Sequence, residues 1–431
     1  MHPFATYVLR NYYQATGWND DNLFANITRS SNAILDFTVP RGLHISVAKS
    51  PNSLFKTSYS MTAMPSLNGS VGYIFTSCGL NIKSSGTVPF KDMIDRFLVY
   101  EQPRKPEAKE IEYLAGESIT NRDYLLYGRL YLPTGRLDAV YSLRLSPTLQ
   151  ALVAAISDPP SPTPQDFRGR RSDPSNIMVS LQHDVGKWCT EYSWSAEDEM
   201  WGVKFLHNFG RLGHSTESAD EAATRKRIGV KRVDEEEPVE GGLKGRVSVG
   251  AELYFSAKEK SAGLSTGIRF TTLPDATPPS AQLQTLSTPY RPAQPPTTIT
   301  ALFNPMLGHI SSAYTARVSK DLALSSRFDF NVYSFESEWT VGAEWWLRRP
   351  SRLPIDHDSD NPIAVTALEP VPPLAVNGVV KARASTNNNV SLMWEGRLRN
   401  MLVSLGVVSD LSSRSKFIKA LGLEVAYFSS E

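Results

Sequence analysis

The chain has 431 residues and a formal net charge of +1, a balance that argues against the basic face of a nucleic-acid binder. No apolar run reaches the roughly 18 residues of a transmembrane helix, and no linker separates independent cores, so the chain reads as one large unit. Its 8 Trp and 17 Tyr suit aromatic girdles at two membrane interfaces, although they would also fill the core of a soluble sandwich.

The first twenty residues, Met1 to Asp20, have polar residues interspersed throughout and lack the continuous apolar stretch of a secretory signal. Phe4, Tyr7, Val8, Asn11 and Tyr12 fit a short amphipathic helix. That helix can lie against the barrel or membrane surface or inside a lumen; the lumen is the expectation carried forward. Residues 1–30 are taken as this helical segment and residues 31–431 as the strands that follow.

The strands show as alternation. Ala33, Leu35, Phe37 and Val39 oppose Asp36 and Thr38; Val71, Tyr73 and Phe75 oppose Ser70, Gly72 and Thr76. Tyr124, Leu126, Leu130 and Leu132 oppose Tyr127 and Arg129, and Ala139, Tyr141, Leu143 and Leu145 oppose Ser142 and Arg144. Trp188, Tyr192 and Trp194 face away from Glu191 and Ser193, and Val247 to Phe255 alternates with Ser248, Gly250 and Glu252. The clearest case is 324–347. Leu324, Phe328, Phe330 and Val332 oppose Ser325, Arg327, Asp329 and Asn331; then Phe335, Trp339, Val341, Ala343, Trp345 and Leu347 oppose Glu336, Glu338, Thr340 and Glu344. Met401, Val403, Leu405 and Val407 follow, then Leu421, Leu423, Val425 and Tyr427 against Gly422 and Glu424.

A strand with large apolar groups on one side and ionised groups on the other separates two solvents. Segments of roughly 9 to 11 residues, repeated along the chain with Gly, Pro, Asn or Asp turns, predict an all-β fold: a transmembrane β-barrel of about 19 or 20 strands. Without a secretory signal, and without a terminal aromatic after Ser429, Ser430 and Glu431, such a barrel is expected in the outer membrane of a mitochondrion or plastid.

Five insertions interrupt the pattern, near 79–122, 158–175, 211–244, 274–296 and 348–376. They are rich in Pro, Ser and charge, a composition that favours disorder, and the basic run Arg225 to Arg232 followed by Glu235 to Glu237 reads as a solvated, mobile loop, with an interaction tail as the alternative. No phosphate-binding or dinucleotide loop and no His-Glu-x-x-His occurs. His183 and Cys189 could supply two metal ligands at most, and Cys78 and Cys189 read as unpaired thiols. The triplets beginning at Asn26, Asn68 and Asn389 sit beside strands in a chain without a secretory signal, so glycosylation is not expected. The expectation is therefore no catalytic, cofactor-binding or metal site, and not an enzyme.

Several blocks carry a resemblance: Phe303-Asn-Pro-Met-Leu-Gly-His-Ile-Ser-Ser-Ala-Tyr314, Phe328-Asp-Phe-Asn-Val-Tyr-Ser-Phe-Glu-Ser337, Leu125-Leu-Tyr-Gly-Arg-Leu-Tyr131, Leu206-His-Asn-Phe209 and Met393-Trp-Glu-Gly396. With the opening Val8-Leu-Arg10, Tyr13-Gln14 and Leu35-Asp-Phe37, they resemble the fungal mitochondrial distribution and morphology protein 10 family over nearly the whole length outside the insertions. The resemblance implies a 19-stranded barrel of the voltage-dependent anion channel type, multi-pass in the mitochondrial outer membrane and at contact sites with the ER. It implies an anchor of the ER and mitochondria encounter structure, serving lipid exchange, mitochondrial morphology and inheritance. It also implies a role in the sorting and assembly machinery for barrel insertion and late translocase assembly. The implied partners are other subunits of the encounter structure, the sorting and assembly barrel with its peripheral subunits, small translocase subunits and membrane lipids, with no nucleic acid.

Barrels of this family end in a targeting signal of the form polar-x-Gly-x-x-hydrophobic-x-hydrophobic. Gly422, Val425 and Tyr427 fill its glycine and hydrophobic positions, while Ala420 stands at the polar one and Lys419 precedes it. The candidate partner contacts are two outward aromatic pairs, Tyr73 with Phe75 and Phe328 with Phe330, which would otherwise be ordinary girdle residues; the resemblance implies the tethering complex for the first and the assembly machinery for the second. The competing class is an anion-channel-like metabolite pore, but Arg129, Arg144 and Lys204 mix with Glu336, Glu338 and Glu344 instead of giving a lumen of one sign.

Overall fold

The computed structural model describes residues 3–100, 112–114, 117–119, 122–158, 175–210, 245–272, 295–349, 375–412 and 417–430. Nineteen strands form one closed sheet. They are β1 Gly42–Ser50, β2 Phe55–Met64, β3 Asn68–Thr76, β4 Tyr124–Leu132, β5 Leu137–Ser146, β6 Leu149–Ser157, β7 Ser175–Asp184, β8 Trp188–Ser195, β9 Met200–Asn208, β10 Gly245–Ser256, β11 Ser261–Thr272, β12 Thr297–Asn304, β13 His309–Arg317, β14 Leu322–Asn331, β15 Ser337–Arg349, β16 Ala375–Ser385, β17 Asn389–Leu398, β18 Met401–Asp410 and β19 Ile418–Ser430. A separate two-stranded hairpin pairs Glu112–Leu114 with Glu117–Ile119.

Sequential neighbours pair antiparallel, as in Phe328 with Trp339 between β14 and β15. Because the strand number is odd, the first and last strands must run the same way where the sheet closes. They do: β1 and β19 pair in parallel from Gly42 with Gly422 to Ser50 with Ser430. Closure leaves no unpaired edge, the condition for a sheet to survive in hydrocarbon. Alternation then sorts the side chains. Ser70, Gly72, Ile74 and Thr76 point inward and are buried, while Tyr73 points outward and is half exposed.

Strict alternation also fixes which end each connection leaves from. The long connections after β3, β9, β11 and β15 leave from one end, where β19 also terminates, and only the connection after β6 leaves from the other. Residues 159–174, 211–244, 273–294 and 350–374, which hold most of four predicted insertions and the 225–237 charge run, lie outside the described residues.

Three expectations are corrected. Residues 33–39 do not form a strand: Arg29–Leu35 is a helix, α2, and the barrel begins at Gly42 rather than residue 31. Phe335 and Glu336 are not strand residues of opposite faces; both lie in the turn between β14 and β15, and Phe335 has φ 57° and is 79% exposed. Residues 79–100, expected to be disordered as part of the 79–122 insertion, are ordered. They run along the inner wall with Leu80, Ile82, Val88, Phe90 and Phe97 buried and a short helical turn, α3, at Phe90–Met93.

Candidate functional site

The interior is where the chain departs from an open pore. Its first helix, α1, spans Pro3–Thr16 and ends in a left-handed Gly17 (φ 66°). The Trp18 amide donates to the Tyr13 carbonyl at 2.9 Å and the Gly17 amide to the Gln14 carbonyl at 3.3 Å, which satisfies the last turn. Its apolar face, Phe4, Val8 and Tyr12, packs on inward-facing Ile74, Leu125, Tyr127 and Phe428 of β3, β4 and β19. The lumen placement is thus observed. Each fully buried side chain of this size is stabilised by about 1.5–3 kcal/mol, which holds a helix too short to persist alone. Burial pushes the phenols of Tyr12 and Tyr13 up.

Beyond α1 the chain keeps to the inner wall. Trp18 reaches β5, where the Arg144 guanidinium lies 4.8 Å from its ring. Asn22 donates to Asp184 Oδ1 at 2.6 Å and accepts from Asn208 Nδ2 at 2.6 Å, so it is held by β7 and β9. Phe24 and Ile27 pack on Leu206 and Leu302 of β9 and β12. Ile34 and Leu35 of α2 meet Ala323 of β14 and Phe97. Val39 then lies over Gly406 of β18, and Pro40 over Gly422 of β19. Residues 3–41 therefore make one full circuit inside the barrel before entering its wall as β1. We refer to this segment as the strap.

Wall glycines make room for the strap. A Cβ at Gly250 would stand 2.5 Å from Phe24 Cδ2, one at Gly342 would stand 2.8 Å from Leu35 Cδ2, and one at Gly406 would stand 2.5 Å from Val39 Cγ1. Inward cations do the reverse and fill space. Lys381 Nζ donates to the Ala33 carbonyl at 3.0 Å and Arg383 Nη1 to the Leu35 carbonyl at 2.7 Å, so two β16 cations satisfy the carbonyl end of α2, where positive charge is favoured. Arg327 of β14 grips Asp36 through both oxygens at 2.7 and 3.0 Å. The 79–100 segment is held the same way. The Phe97 amide donates to Glu344 at 3.2 Å, and Arg269 stacks on Tyr100 at 3.7 Å. Several inward Arg and Lys side chains thus face carbonyls and aromatic rings of the same chain.

The candidate partner residues lie on the outer wall. Tyr73 stacks on Phe55 (5.9 Å) and Phe75 meets Tyr124 (6.1 Å) near the end that carries four long connections. Phe328 and Phe330 stack at 6.4 Å near the other end, with exposed Trp339 opposite Phe328. The two pairs thus sit at different membrane levels as well as on distant strands.

Of the targeting-signal residues, Val425 and Tyr427 face outward and pair with Ile45 and Val47, while Gly422 faces inward opposite Gly42. Lys419 is the extra residue of a bulge between the Val408–Ala420 and Ser409–Ile418 pairs. Among the described residues no three His, Cys, Asp or Glu side chains gather as a metal site, His183 sets its ring edge-on to Trp188 at 5.0 Å, and Cys78, whose Sγ donates to Asp123 Oδ1 at 3.1 Å, is not joined to Cys189 by a disulfide.

A family model described as Mitochondrial distribution and morphology protein 10 matches residues 1–369 and 369–430. The chain belongs to this family. It is 74% identical to the mitochondrial distribution and morphology protein 10 of Laccaria bicolor and 70% identical to that of Coprinopsis cinerea, each over 100% of both chains. The Cryptococcus neoformans relative is 40% identical, again over 100% of both. Family membership thus joins a mitochondrial name to the closed 19-stranded barrel.

Proposed function

We propose that this protein is a mitochondrial outer-membrane scaffold and not an enzyme. In this reading it anchors the complex that tethers mitochondria to the ER, and through it lipid exchange and mitochondrial morphology. It also acts in the sorting and assembly machinery during barrel insertion and late assembly of the outer-membrane translocase. The observation that carries the reading is the full luminal circuit of residues 3–41, reinforced by 79–100: a barrel lined by its own chain has its outer wall and its ends left for partners. The mixed signs along the inner wall and the family name support the same side. The end bearing four long connections suits soluble and peripheral subunits. The outer aromatic pairs suit contacts inside the membrane, where shape packing, not hydrophobic expulsion, drives association.

The rival reading is an anion-channel-like pore. Planar-bilayer recording of the purified protein separates them: the scaffold reading expects no steady anion-selective conductance, and a stable anion-selective channel contradicts it. Photocrosslinking from Tyr73 and Phe328 in intact mitochondria should then capture subunits of the tether and of the assembly machinery, respectively.

A further inference from the structure

The strap leaves the lumen at one point, and that point is the seam. Gly42, the first residue of β1, has φ 77°, and a Cβ there would stand 2.1 Å from the Met64 carbonyl oxygen. Its partner across the parallel seam is Gly422, where a Cβ would stand 2.1 Å from the Pro40 carbonyl oxygen, 2.4 Å from its carbon and 2.8 Å from the Arg41 amide nitrogen. All three are backbone atoms, so no rotamer change relieves the contact; either the strap or the seam must move. At Gly342 and Gly406, by contrast, the nearest atoms are side chains that can turn aside.

We propose that Gly422 is a steric checkpoint that couples seating of the strap to closure of the barrel: β19 can complete its parallel pairing with β1 only where the Pro40–Arg41 peptide lies in the space its missing side chain leaves. The glycine of the last strand is thus required by the finished barrel itself, apart from any reading of that strand by other proteins. The strap and the seam form one unit, because the chain passes from the first to the second within two residues, and a displaced Pro40 carries Gly42 out of register.

The test is folding without any assembly machinery. The purified full chain, with Cys78 and Cys189 replaced by Ser, is refolded from urea into detergent micelles. It carries Leu43→Cys and Leu423→Cys, outward positions that pair across the seam beside Gly422. Disulfide yield under mild oxidation reports closure, and circular dichroism reports strand content. Gly422→Ala should lower the disulfide yield at least about tenfold, since overpacking against backbone cannot be relaxed locally. Ala426→Ser, on the same inward face but away from Pro40, should leave the yield unchanged. Failure of Gly422→Ala to gain strand content while Ala426→Ser folds also supports the proposal. A Gly422→Ala seam that cross-links as well as the parent, or an equal loss in Ala426→Ser, overturns it.

Discussion

The outer and inner faces of this barrel are built from the same strands, yet they obey different rules. Outside, one kind of neighbour suffices: Val47, Tyr73, Leu253, Trp339 and Tyr427 are all well exposed and need only an apolar surround. Inside, each position answers to a particular piece of the same chain: Gly250 to Phe24, Lys381 to the carbonyl of Ala33, Arg269 to Tyr100. The outer face is specified by periodicity and the inner face by fit. Substitutions should therefore be tolerated outside so long as they are apolar, and inside only where volume and charge are kept.

The comparison breaks most severely if the wall can stand open. Deleting residues 416–431 removes β19, leaves β1 and β18 with unpaired edges, and exposes backbone groups to lipid at several kcal/mol each. The truncated chain should be synthesised but not integrated, as alkaline extraction of mitochondria would reveal; normal integration contradicts the closed barrel. Next in size is a charge under the strap. Val8 is fully buried, so Val8→Asp should destabilise the refolded protein by about 3 kcal/mol or more in detergent denaturation, whereas Val47→Ala, outside, should cost about 1 kcal/mol or less.

Arg383→Ala comes third. It frees the Leu35 carbonyl at the end of α2 and should cost about 1–3 kcal/mol, a loss that Arg383→Lys recovers in part. The smallest effect on stability belongs to the outer aromatic pairs. Tyr73→Ala with Phe75→Ala, and separately Phe328→Ala with Phe330→Ala, should shift the unfolding midpoint little. On native gels of mitochondria, each should deplete one complex and spare the other; equal loss of both, or of neither, removes the division of the wall between two partners.

The same contrast explains what the sequence made legible. The strands β3, β4, β5, β8, β10, β14, β15, β18 and β19 follow from alternation because their outward residues answer only to lipid, and period two is a local signal. Residues 33–39 also alternate, Ala33, Leu35, Phe37 and Val39 against Asp36 and Thr38, yet Arg29–Leu35 is helical. What decides it lies some 350 positions away by register, in Lys381 and Arg383 (|i−j| 348 for both contacts), which no local pattern contains. Residues 79–100 were obscured differently. Their Ser, Pro and charge content resembles the insertions elsewhere, and their buried residues are placed by separate clusters on the inner wall, Val88 in one, Phe90 and Ile94 with Trp346 and Val379 in a second and Phe97 with Ala323 in a third, contacts that no local pattern contains. Of the candidate site residues, Val425 and Tyr427 were read correctly as outward, while the steric demand on Gly422 was invisible without Pro40 beside it.

The strap inside the barrel is the claim on which the rest depends, and thiol accessibility tests it most directly. A single cysteine is placed at Val8, in a chain with Cys78 and Cys189 replaced by Ser, and a second protein carries it instead at Phe335 in the exposed turn. Both are reconstituted in vesicles and treated with a membrane-impermeant maleimide. Rapid labelling is expected at 335 and none at 8 until the barrel is denatured; labelling at 8 as fast as at 335 in the folded protein contradicts a luminal strap.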